Sequence, residues 1–361
     1  MPRVVGIDPG TVSIDVCGLD DGRLFLDRSF PTAQALADPA AFVALLAEAG
    51  PLDLVVGPSG YGLPLTRLQD ATDEDLRLAF LAAPAEPGGI GGLRTLLRAL
   101  ARSTLPVVLT PGVVHLPTVP EYRKANRVDM GTADKVCAAA LAIDEQAQRF
   151  ARPLVEVSLV LLELGGAFTA AVAVAGGCIV DGVGGSSGPL GLQAAGALDG
   201  EVAYLAGEVP KELLFRGGAA AIAGWDPADE SLERLGQPAT ARERMAWEAL
   251  VEGAVKTATA LATSVPSLKE FVLSGRLARV ESVQHAIRRR LGPFAPTRVL
   301  EGFAQAAKHG AQGAALLADG LAGGSRRELV ETLALREARG TVLDHLVVIS
   351  QAAARRRLGL G

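Results

Sequence analysis

The sequence predicts an α/β protein built from two similar domains. Strands alternate with helices along the chain, and the same strand–turn–strand pattern opens both halves. The length, 361 residues, exceeds the size at which one hydrophobic core stops growing, about 250–300 residues. Hydrophobic residues make up 49% of the chain, which is enough for two cores and excludes a disordered or fibrous protein. We expect domains over 1–152 and 153–322 and a helical extension over 323–361.

The first thirty residues predict a β-meander. Apolar strands over 4–8 and 13–19 are followed by Asp21-Gly22, a two-residue hairpin signal, and a third strand over 23–30. Beyond the meander the sequence predicts helices over 39–49, 93–102 and 132–150, strands over 52–57 and 107–110, and a Gly- and Pro-rich loop over 84–92.

The second half begins in the same way, with strands over 156–164, 168–175 and 178–183. Residues 157–175 form an apolar run close to membrane-spanning length. Glu163 and the Gly165-Gly166 break predict two buried strands joined by a turn instead. Further along, the pattern predicts strands over 270–273 and 298–300, helices over 239–264, 280–291 and 304–318, and an amphipathic helical tail over 326–357 with a break at Gly340.

Each half places an acid two residues before a glycine at the end of its first strand. Asp8 precedes Gly10, and Glu163 precedes Gly165, at an offset of 155 residues (163 minus 8). This repeat indicates a duplicated domain. The alternative is that two unrelated α/β domains both open with a strand–turn–strand.

Composition narrows the class of partner. The net charge is −5 and the arginine runs at 288–290 and 355–357 are short and far apart, so nucleic acid is not expected as a partner. Three cysteines without close spacing favour neither a disulfide framework nor a zinc site. The N-terminus lacks the layout of a signal peptide. We therefore expect a cytoplasmic protein that does not enter a membrane.

The two acid–glycine hairpins are candidate phosphate sites. Glycine lets backbone N–H groups approach an anion closely, and successive N–H groups in a tight turn form an anion-binding nest. Thr11 and Thr169 could add hydroxyl donors. Asp8 and Glu163 are candidate ligands of a hydrated Mg²⁺ that neutralises the phosphates. A pair of such hairpins predicts a site for a nucleoside triphosphate.

Four segments, in order, resemble the motifs of the actin-like ATPase superfamily, which includes sugar kinases, acetate and butyrate kinases and heat-shock ATPases. Gly6-Ile7-Asp8-Pro9-Gly10-Thr11 resembles its first phosphate motif, and 163–169 stands where the second one lies. Residues 272–276, with Gly275 and Arg276, stand at its adenosine motif, and 310–315 is similar to its small-residue helix. The resemblance spans residues 4–320. It implies two duplicated actin-like (ribonuclease H-like) domains, a nucleotide cleft between them, and ATP and Mg²⁺ as cofactors.

The chain is also similar to an uncharacterised prokaryotic family described as predicted butyrate kinases, with Leu198-Asp199-Gly200-Glu201 contributing. That resemblance implies a kinase acting on a small molecule, with a short-chain carboxylate such as butyrate as the acceptor. The chain departs from the superfamily pattern at Glu163, where Asp is usual, and at the single Gly275, where paired glycines are usual.

The segment 123–135 supplies the candidates for the acceptor side. Gly131-Thr132-Ala133-Asp134-Lys135 resembles the Gly-x-Asp-Arg element of type III pantothenate kinases, which implies that Asp134 orients or deprotonates the acceptor; Asp129 is the second candidate. Arg123 and Arg127 are candidates for holding a carboxylate or the transferred phosphoryl group. The structural alternative is that Asp134 caps its helix, a role that contributes about 1 kcal/mol.

These observations predict an ATP-dependent phosphotransferase. A nucleotide-binding switch or scaffold without a small acceptor is the alternative. Gly184-Gly185-Ser186-Ser187-Gly188 also matches a nucleophile elbow, although Pro189 disfavours the helix that a serine hydrolase needs there. Lys308 is either a phosphate contact or a solvated helix lysine. The helical tail is a candidate surface for a homodimer.

Overall fold

The computed structural model describes residues 2–57, 59–83, 92–226 and 232–360. Their contacts group into two compact units. The first is drawn from Met1–Glu156, Gly176–Ile179 and Gly302–Gly361, and the second from Val157–Ala175 and Val180–Glu301. The domains expected from the sequence repeat, 1–152 and 153–322 with an extension over 323–361, are a different grouping and stay a prediction. The expected loop over 84–92 lies, except for Gly92, outside the described residues.

A mixed sheet forms the centre of the first unit, in the order β3-β2-β1-β4-β6-β5. Its strands are β1 (Arg3–Pro9), β2 (Ser13–Asp20), β3 (Arg23–Pro31), β4 (Leu54–Gly57), β5 (Thr66–Arg67) and β6 (Val107–Leu109). The meander β1-β2-β3 is antiparallel, and β4 and β6 then add to β1 in parallel. The carboxyl ends of β1, β4 and β6 therefore meet at one edge of the sheet.

The second unit repeats this topology, with the order β11-β10-β7-β8-β9. Its strands are β7 (Ser158–Leu164), β8 (Thr169–Ala175), β9 (Cys178–Val183), β10 (Glu270–Ser274) and β11 (Thr297–Val299). β7 pairs with β8 in antiparallel and with β10 in parallel, as β1 pairs with β2 and β4. The apolar run 157–175 thus forms two strands, as expected. None of the helices in the described ranges is both long and apolar enough to span a bilayer.

The first unit contains helices α1 (Thr32–Ala37), α2 (Pro39–Glu48), α3 (Asp73–Phe80), α4 (Leu93–Ala101), α5 (Glu121–Lys124) and α6 (Ala133–Phe150). The second contains α7 (Gly200–Ala206), α8 (Ala219–Ala223), α9 (Ala241–Ala262) and α10 (Glu281–Leu291). The first unit is completed by α11 (His309–Leu321), α12 (Arg327–Thr332) and α13 (Gln351–Arg357).

The two cores are packed by different means. In the first unit α11 lies directly on β1, because Gly6 has no side chain: a Cβ there would overlap the backbone of Ala311 and Ala315. In the second unit α9 and α10 cover the sheet with ordinary apolar side chains, including the buried Leu250 and Ile287. The first unit thus uses backbone contact to bring a helix terminus close to the end of β1.

Two helix predictions are corrected. The helix expected from residue 304 begins at His309, because the carboxylate of Asp27 accepts the N–H groups of Gln305 (2.8 Å), Ala306 (3.0 Å) and Ala307 (2.7 Å) and holds them in a loop. The tail expected as a helix over 326–357 with a break at Gly340 has that break, but its α-helical parts are only the short α12 and α13. Between them the backbone turns at Ala334 (φ 50°) and Gly340 (φ 77°), which a continuous helix cannot accommodate.

Candidate functional site

The first hairpin, residues 8–13, connects β1 to β2 in the first unit. The N–H of Gly10 donates to the carbonyl of Ser13 (2.8 Å), and the Thr32 hydroxyl donates to the carbonyl of Gly10 (2.7 Å). A Cβ on Gly10 would lie 2.9 Å from the Ser13 carbonyl oxygen, so the tight turn favours glycine. Thr11, at its tip, is exposed. The predicted phosphate residues Gly10 and Thr11 therefore stand on an exposed, fixed turn.

Asp8 ends the buried part of β1, and its side chain is buried at the base of this hairpin. The residue is 7% exposed, and burial raises the pKa of its carboxyl to about 7. Lys308 opposes this rise in pKa, whereas Asp134 adds to it. Gly310 brings α11 against the carboxylate, since a Cβ at this position would lie 2.5 Å from Asp8 Oδ2. A buried carboxylate beside a helix N-terminus and a lysine is suited to binding a cation together with an anion.

Asp134 lies in the first turn of α6, where Thr132 is the N-cap. Its carboxylate accepts a hydrogen bond from the Thr132 hydroxyl and contacts Lys135 Nζ at 2.5 Å. Burial acts to raise its pKa, but the charge and hydrogen bond of Lys135 and the bond from Thr132 hold the pKa of Asp134 below its ordinary value. Asp134 therefore stays ionised near neutral pH, where Asp8 titrates. Asp134 is therefore a permanent hydrogen-bond acceptor, whereas Asp8 can change its charge near neutral pH.

The other residues predicted for the acceptor lie in a turn that carries the C-terminal segment. Asn126, with φ 55°, accepts N–H bonds from Val347 (2.7 Å) and Val348 (2.8 Å). Arg123 lies over the ring of its neighbour Tyr122. In the same segment Arg127 is exposed.

Asp129, the second candidate for the acceptor, is buried. Its carboxylate accepts the N–H of Gly131 at 3.3 Å. This contact gives Asp129 a role in shaping the approach to α6.

The second hairpin, residues 163–168, has the same backbone geometry in the second unit. The N–H of Gly165 donates to the carbonyl of Phe168 (2.9 Å), and a Cβ on Gly165 would lie 2.8 Å from that oxygen. Glu163 is partly buried and pairs across the sheet with Ser274. The predicted second phosphate motif is thus a hairpin at the carboxyl end of β7.

The predicted adenosine motif lies beside this hairpin. Gly275 has φ 90°, which favours glycine, and its Cα approaches the backbone of Leu164. The Arg276 side chain passes Gly166, with its Cδ 3.7 Å from where a Cβ would stand. Thr169 is fully buried, and no described residue hydrogen-bonds its hydroxyl. Gly165, Gly166, Gly275 and Arg276 are therefore brought together, whereas the Thr169 hydroxyl points into the protein interior.

Lys308, which the sequence left as either a phosphate contact or a solvated lysine, belongs to the first site, as do Asp15 and Lys135, to which the sequence reasoning gave no role. Lys308 forms an ion pair with Asp15 (2.8 Å), which is fully buried, and Lys135 is the partner of Asp134. An acid at a buried position of an apolar strand was the available signal for Asp15.

Two further chemistries were tested against the described part of the chain. No group of three or more His, Cys, Asp or Glu side chains there has the spacing of a metal cage. Mg²⁺ is commonly held by one or two carboxylates together with substrate phosphates, and the buried Asp8 fits that mode. No helix follows Ser186 until α7 begins at Gly200, so the strand–turn–helix of a nucleophile elbow is not formed there.

The chain belongs to the family described as protein of unknown function DUF1464, whose model matches residues 6–348. No curated protein matches it in sequence. Its fold is that of the actin-like ATPase superfamily, as the sequence motifs predicted.

Solved structures of short-chain acid kinases share this fold. A propionate kinase from Francisella tularensis subsp. tularensis SCHU S4 superposes with a TM-score of 0.62 at 13% identity, covering 87% of this chain and 98% of that one. An acetate kinase from Porphyromonas gingivalis gives 0.59 at 12% identity, with 87% and 98% covered. An acetate kinase from Entamoeba histolytica gives 0.58 at 11% identity, with 80% and 86% covered. The chain is therefore kinase-like in fold.

Proposed function

We propose that this DUF1464 protein is an ATP-dependent phosphotransferase acting on a small molecule. The observation that carries the proposal is the buried carboxylate of Asp8, which lies at the base of a glycine turn and beside Lys308 and the N-terminus of α11. Phosphoryl transfer requires mainly positioning and neutralisation of charge, which these groups supply. The likeness in fold to acetate and propionate kinases supports the same reaction class.

The two hairpins are the proposed phosphate-binding elements, one in each unit. The backbone N–H groups of Thr11 in the first and of Gly166 in the second would approach phosphate oxygens, and Gly10 and Gly165, whose own N–H groups close the turns, would let the phosphates come near the backbone. Gly275 and Arg276 would lie at the nucleoside end of the second site. ATP is the proposed nucleotide, following the resemblance of these motifs to the superfamily.

Mg²⁺ is the proposed metal. Asp8 would hold it in the first unit, directly or through water, and Glu163 is the corresponding candidate in the second. When bound, Mg²⁺ neutralises phosphate charge and orients the phosphates. Burial raises the pKa of Asp8 because the ionised carboxylate loses its hydration. A bound cation would stabilise the ionised carboxylate and lower this pKa.

Asp134 is the proposed orienting group for the acceptor. Because its pKa is held low, it is a weak general base and a stable hydrogen-bond acceptor near neutral pH. A short-chain carboxylate such as butyrate is already ionised, needs no base and has no hydrogen to donate to Asp134, so butyrate as the acceptor rests on the family resemblance and not on this role. A hydroxyl acceptor could donate its proton to Asp134 in a hydrogen bond. Arg123 and Arg127 stay candidates for binding the acceptor.

The proposal is tested by thermal unfolding and by product formation. With Mg²⁺ and a non-hydrolysable ATP analogue at about 100 times the dissociation constant, binding should add about 2.7 kcal/mol to the stability of the folded state. The melting temperature of wild type should rise, and the rise should be lost in Gly10→Val. Gly200→Ala is the matched control, because a Cβ at Gly200 meets no atom within 4 Å.

Formation of ADP is then measured with butyrate, acetate, propionate and a panel of hydroxyl compounds. Acceptor-dependent ADP supports the phosphotransferase. Nucleotide binding with a slow ADP release that no acceptor changes would favour the switch or scaffold instead. The absence of any melting shift in wild type would contradict both.

We also propose a cytoplasmic location and a homodimer. Cys17, Cys137 and Cys178 are free thiols, as a reducing compartment favours.

The C-terminal segment packs on its own unit, where Arg355 pairs with Glu74 at 2.6 Å and Arg77 donates to the carbonyl of Gly359. Sedimentation velocity of the full chain measures the oligomeric state, and a single monomer boundary across concentration would contradict the dimer.

A further inference from the structure

Lys308 holds its ammonium group against the first hairpin. Its Nζ donates to the carbonyl of Ser13 (2.9 Å) and lies 2.8 Å from the carboxylate of Asp15. The same nitrogen stands so close to Gly10 that a Cβ there would overlap it. Among the described residues Ser13 and Asp15 are the two hydrogen-bonding partners of the ammonium, which carries three N–H donors.

Asp15 explains why the lysine does not move freely. Its side chain is 0% exposed, whereas that of Lys308 is 41% exposed. A buried carboxylate requires a partner, because desolvation of an unpaired charge is costly. The buried acid therefore fixes the ammonium at the edge of the hairpin, on a side chain that stays partly exposed to solvent.

The loop before Lys308 is fixed from two directions. Asp27 accepts the N–H groups of residues 305–307, as described above. Gln312, which is 1% exposed, accepts the N–H of Phe303 (2.7 Å) and donates to the carbonyl of Ala307 (2.7 Å). A side chain that only points into solvent has no need of such support. The position of the lysine backbone is thus set before any ligand arrives.

We propose that Lys308 is a phosphate-binding residue of the first hairpin, with Asp15 as its positioning residue. The inference deepens the proposed function and rests on it. The ligand class is a polyphosphate chain, such as that of a nucleoside triphosphate, lying over the Gly10 turn. The lysine supplies a fixed positive charge and an N–H donor at a turn whose other donors are backbone amides.

The experiment compares four variants by isothermal titration with the Mg²⁺ complex of inorganic tripolyphosphate and with a Mg²⁺-bound non-hydrolysable ATP analogue. Lys308→Met removes the charge and leaves Asp15 unpaired, so we expect the variant to lose stability as well as affinity. The double variant Asp15→Asn/Lys308→Met removes both charges and restores a neutral interior. Lys308→Arg keeps the charge. Lys256→Met is the control, because Lys256 is an exposed helix lysine whose ion-pair partner among the described residues is Glu252.

The expected result is a loss of affinity of at least tenfold in the double variant, with a melting temperature close to that of wild type. Lys308→Arg should recover part of the affinity, and Lys256→Met should bind as wild type does. If the folded double variant binds both ligands as tightly as wild type, Lys308 only neutralises Asp15 and the inference is overturned. If wild type itself binds neither ligand, the proposed function fails, and the inference fails with it.

Discussion

The two hairpins share one backbone and differ in what surrounds it. In both, the N–H of a glycine donates to the carbonyl three residues later, from Gly10 to Ser13 and from Gly165 to Phe168. Both glycines lie 155 positions apart (165 minus 10), as do their two acceptors. Both hairpins follow the first strand of sheets with the same order of pairing. The repeat read from the sequence is therefore a repeat of hydrogen bonds.

The surroundings of the first hairpin are far more charged. Asp8, Asp15 and Asp134 lie near Lys135 and Lys308, and the pKa of Asp8 responds to all four of the others. Beside the second hairpin stand Glu163 and Arg276, together with the buried hydroxyls of Thr169 and Ser274. The comparison teaches that a duplicated turn need not carry duplicated surroundings. We expect catalysis to depend most on the first unit.

The largest expected effect is a difference in kcat between variants of Asp8 and variants of Glu163. Asp8→Asn should lower kcat by about 10²–10³-fold, the range found when one preorganised electrostatic group is removed. Glu163→Gln should cost about tenfold, because a partly exposed carboxylate is already screened by solvent. ADP formation at saturating ATP measures both. Equal losses in the two variants would contradict the asymmetry between the units.

Asp8→Asn should also stabilise the fold at alkaline pH when no divalent cation is present. The folded-state pKa of Asp8 is raised from 3.8 to about 7, so the folded state binds the proton more tightly than the unfolded state. Stability from this group is present below pH 3.8 and is lost as pH rises through 7. In EDTA the variant should therefore melt above wild type at pH 8, and the gap should narrow as the pH is lowered toward 3.8. A variant that melts lower at pH 8 would show that Asp8 is compensated in the free protein.

The next effect contrasts the packing of the two cores. Gly6→Ala should destabilise the first unit by about 3 kcal/mol, because the new methyl group meets the backbone of α11, which cannot move aside without moving the helix. Gly253→Ala, inside α9, should stabilise the second unit by about 0.5–1 kcal/mol, since its Cβ would stand 3.4 Å from Pro189 and alanine favours a helix.

Two tryptophans report on the second unit alone, since Trp225 and Trp247 both belong to it. In urea, Gly6→Ala should shift the circular dichroism transition to lower denaturant and leave the tryptophan fluorescence transition in place. Gly253→Ala should shift the fluorescence transition to higher denaturant. A fluorescence transition that follows Gly6→Ala would show that the two units unfold together.

Local patterns in the sequence were sufficient for the strands other than the two-residue β5, and for both turns. Alternating and continuous apolar runs fixed β1, β2, β7 and β8, and Asp8 and Glu163 marked where the strands end. These features depend on neighbours within a few residues. The predicted α/β class and the actin-like fold were confirmed for that reason.

The rest of the first site depends on contacts that no local pattern contains. Lys308 meets Ser13 across 295 positions, and Asp27 meets Gln305 across 278. Without Asp27 the alanines before Lys308 favour a helix, which is why the start of α11 was placed too early. Part of the tail is not helical for a similar reason: the side chain of Asn126, which is 221 positions from Val347, accepts the N–H groups of Val347 and Val348 that a helix would use.

Acid should destabilise the first unit before the second, because of His115. This side chain is 3% exposed, and burial lowers its pKa from 6.5 to about 4, with Lys124 acting in the same direction. The unfolded state therefore binds the proton more readily, and stability is lost as pH falls from 6.5 to 4, by about 3 kcal/mol in total. In the second unit, hydrogen bonds from Trp225 and from backbone N–H groups lower the pKa of Glu243 to about 2. The stability that Glu243 contributes is therefore lost only below pH 4.5.

The measurement is the stability of wild type and His115→Gln between pH 4 and 7, followed by circular dichroism and by tryptophan fluorescence. The difference between the two proteins isolates His115 from the opposing effect of Asp8. We expect that difference to change with pH in the circular dichroism signal only. A pH-independent difference would mean that His115 has the same pKa in the folded and the unfolded protein.

The smallest expected effect distinguishes two adjacent glycines of the second hairpin. A Cβ at Gly165 would lie 2.8 Å from the carbonyl oxygen of Phe168, whereas at Gly166 the nearest atom is Arg276 Cδ at 3.7 Å. Gly165→Ala should therefore destabilise the second unit by about 1–2 kcal/mol, and Gly166→Ala should change its stability by less than about 0.5 kcal/mol. Tryptophan fluorescence in urea measures both. Because Gly166→Ala leaves the fold intact, a loss of affinity for the ATP analogue in this variant must come from the methyl group at the ligand itself. Unchanged affinity would remove Gly166 from the site. A destabilisation equal to that of Gly165→Ala would show that the space around Gly166 is smaller than the 3.7 Å distance implies.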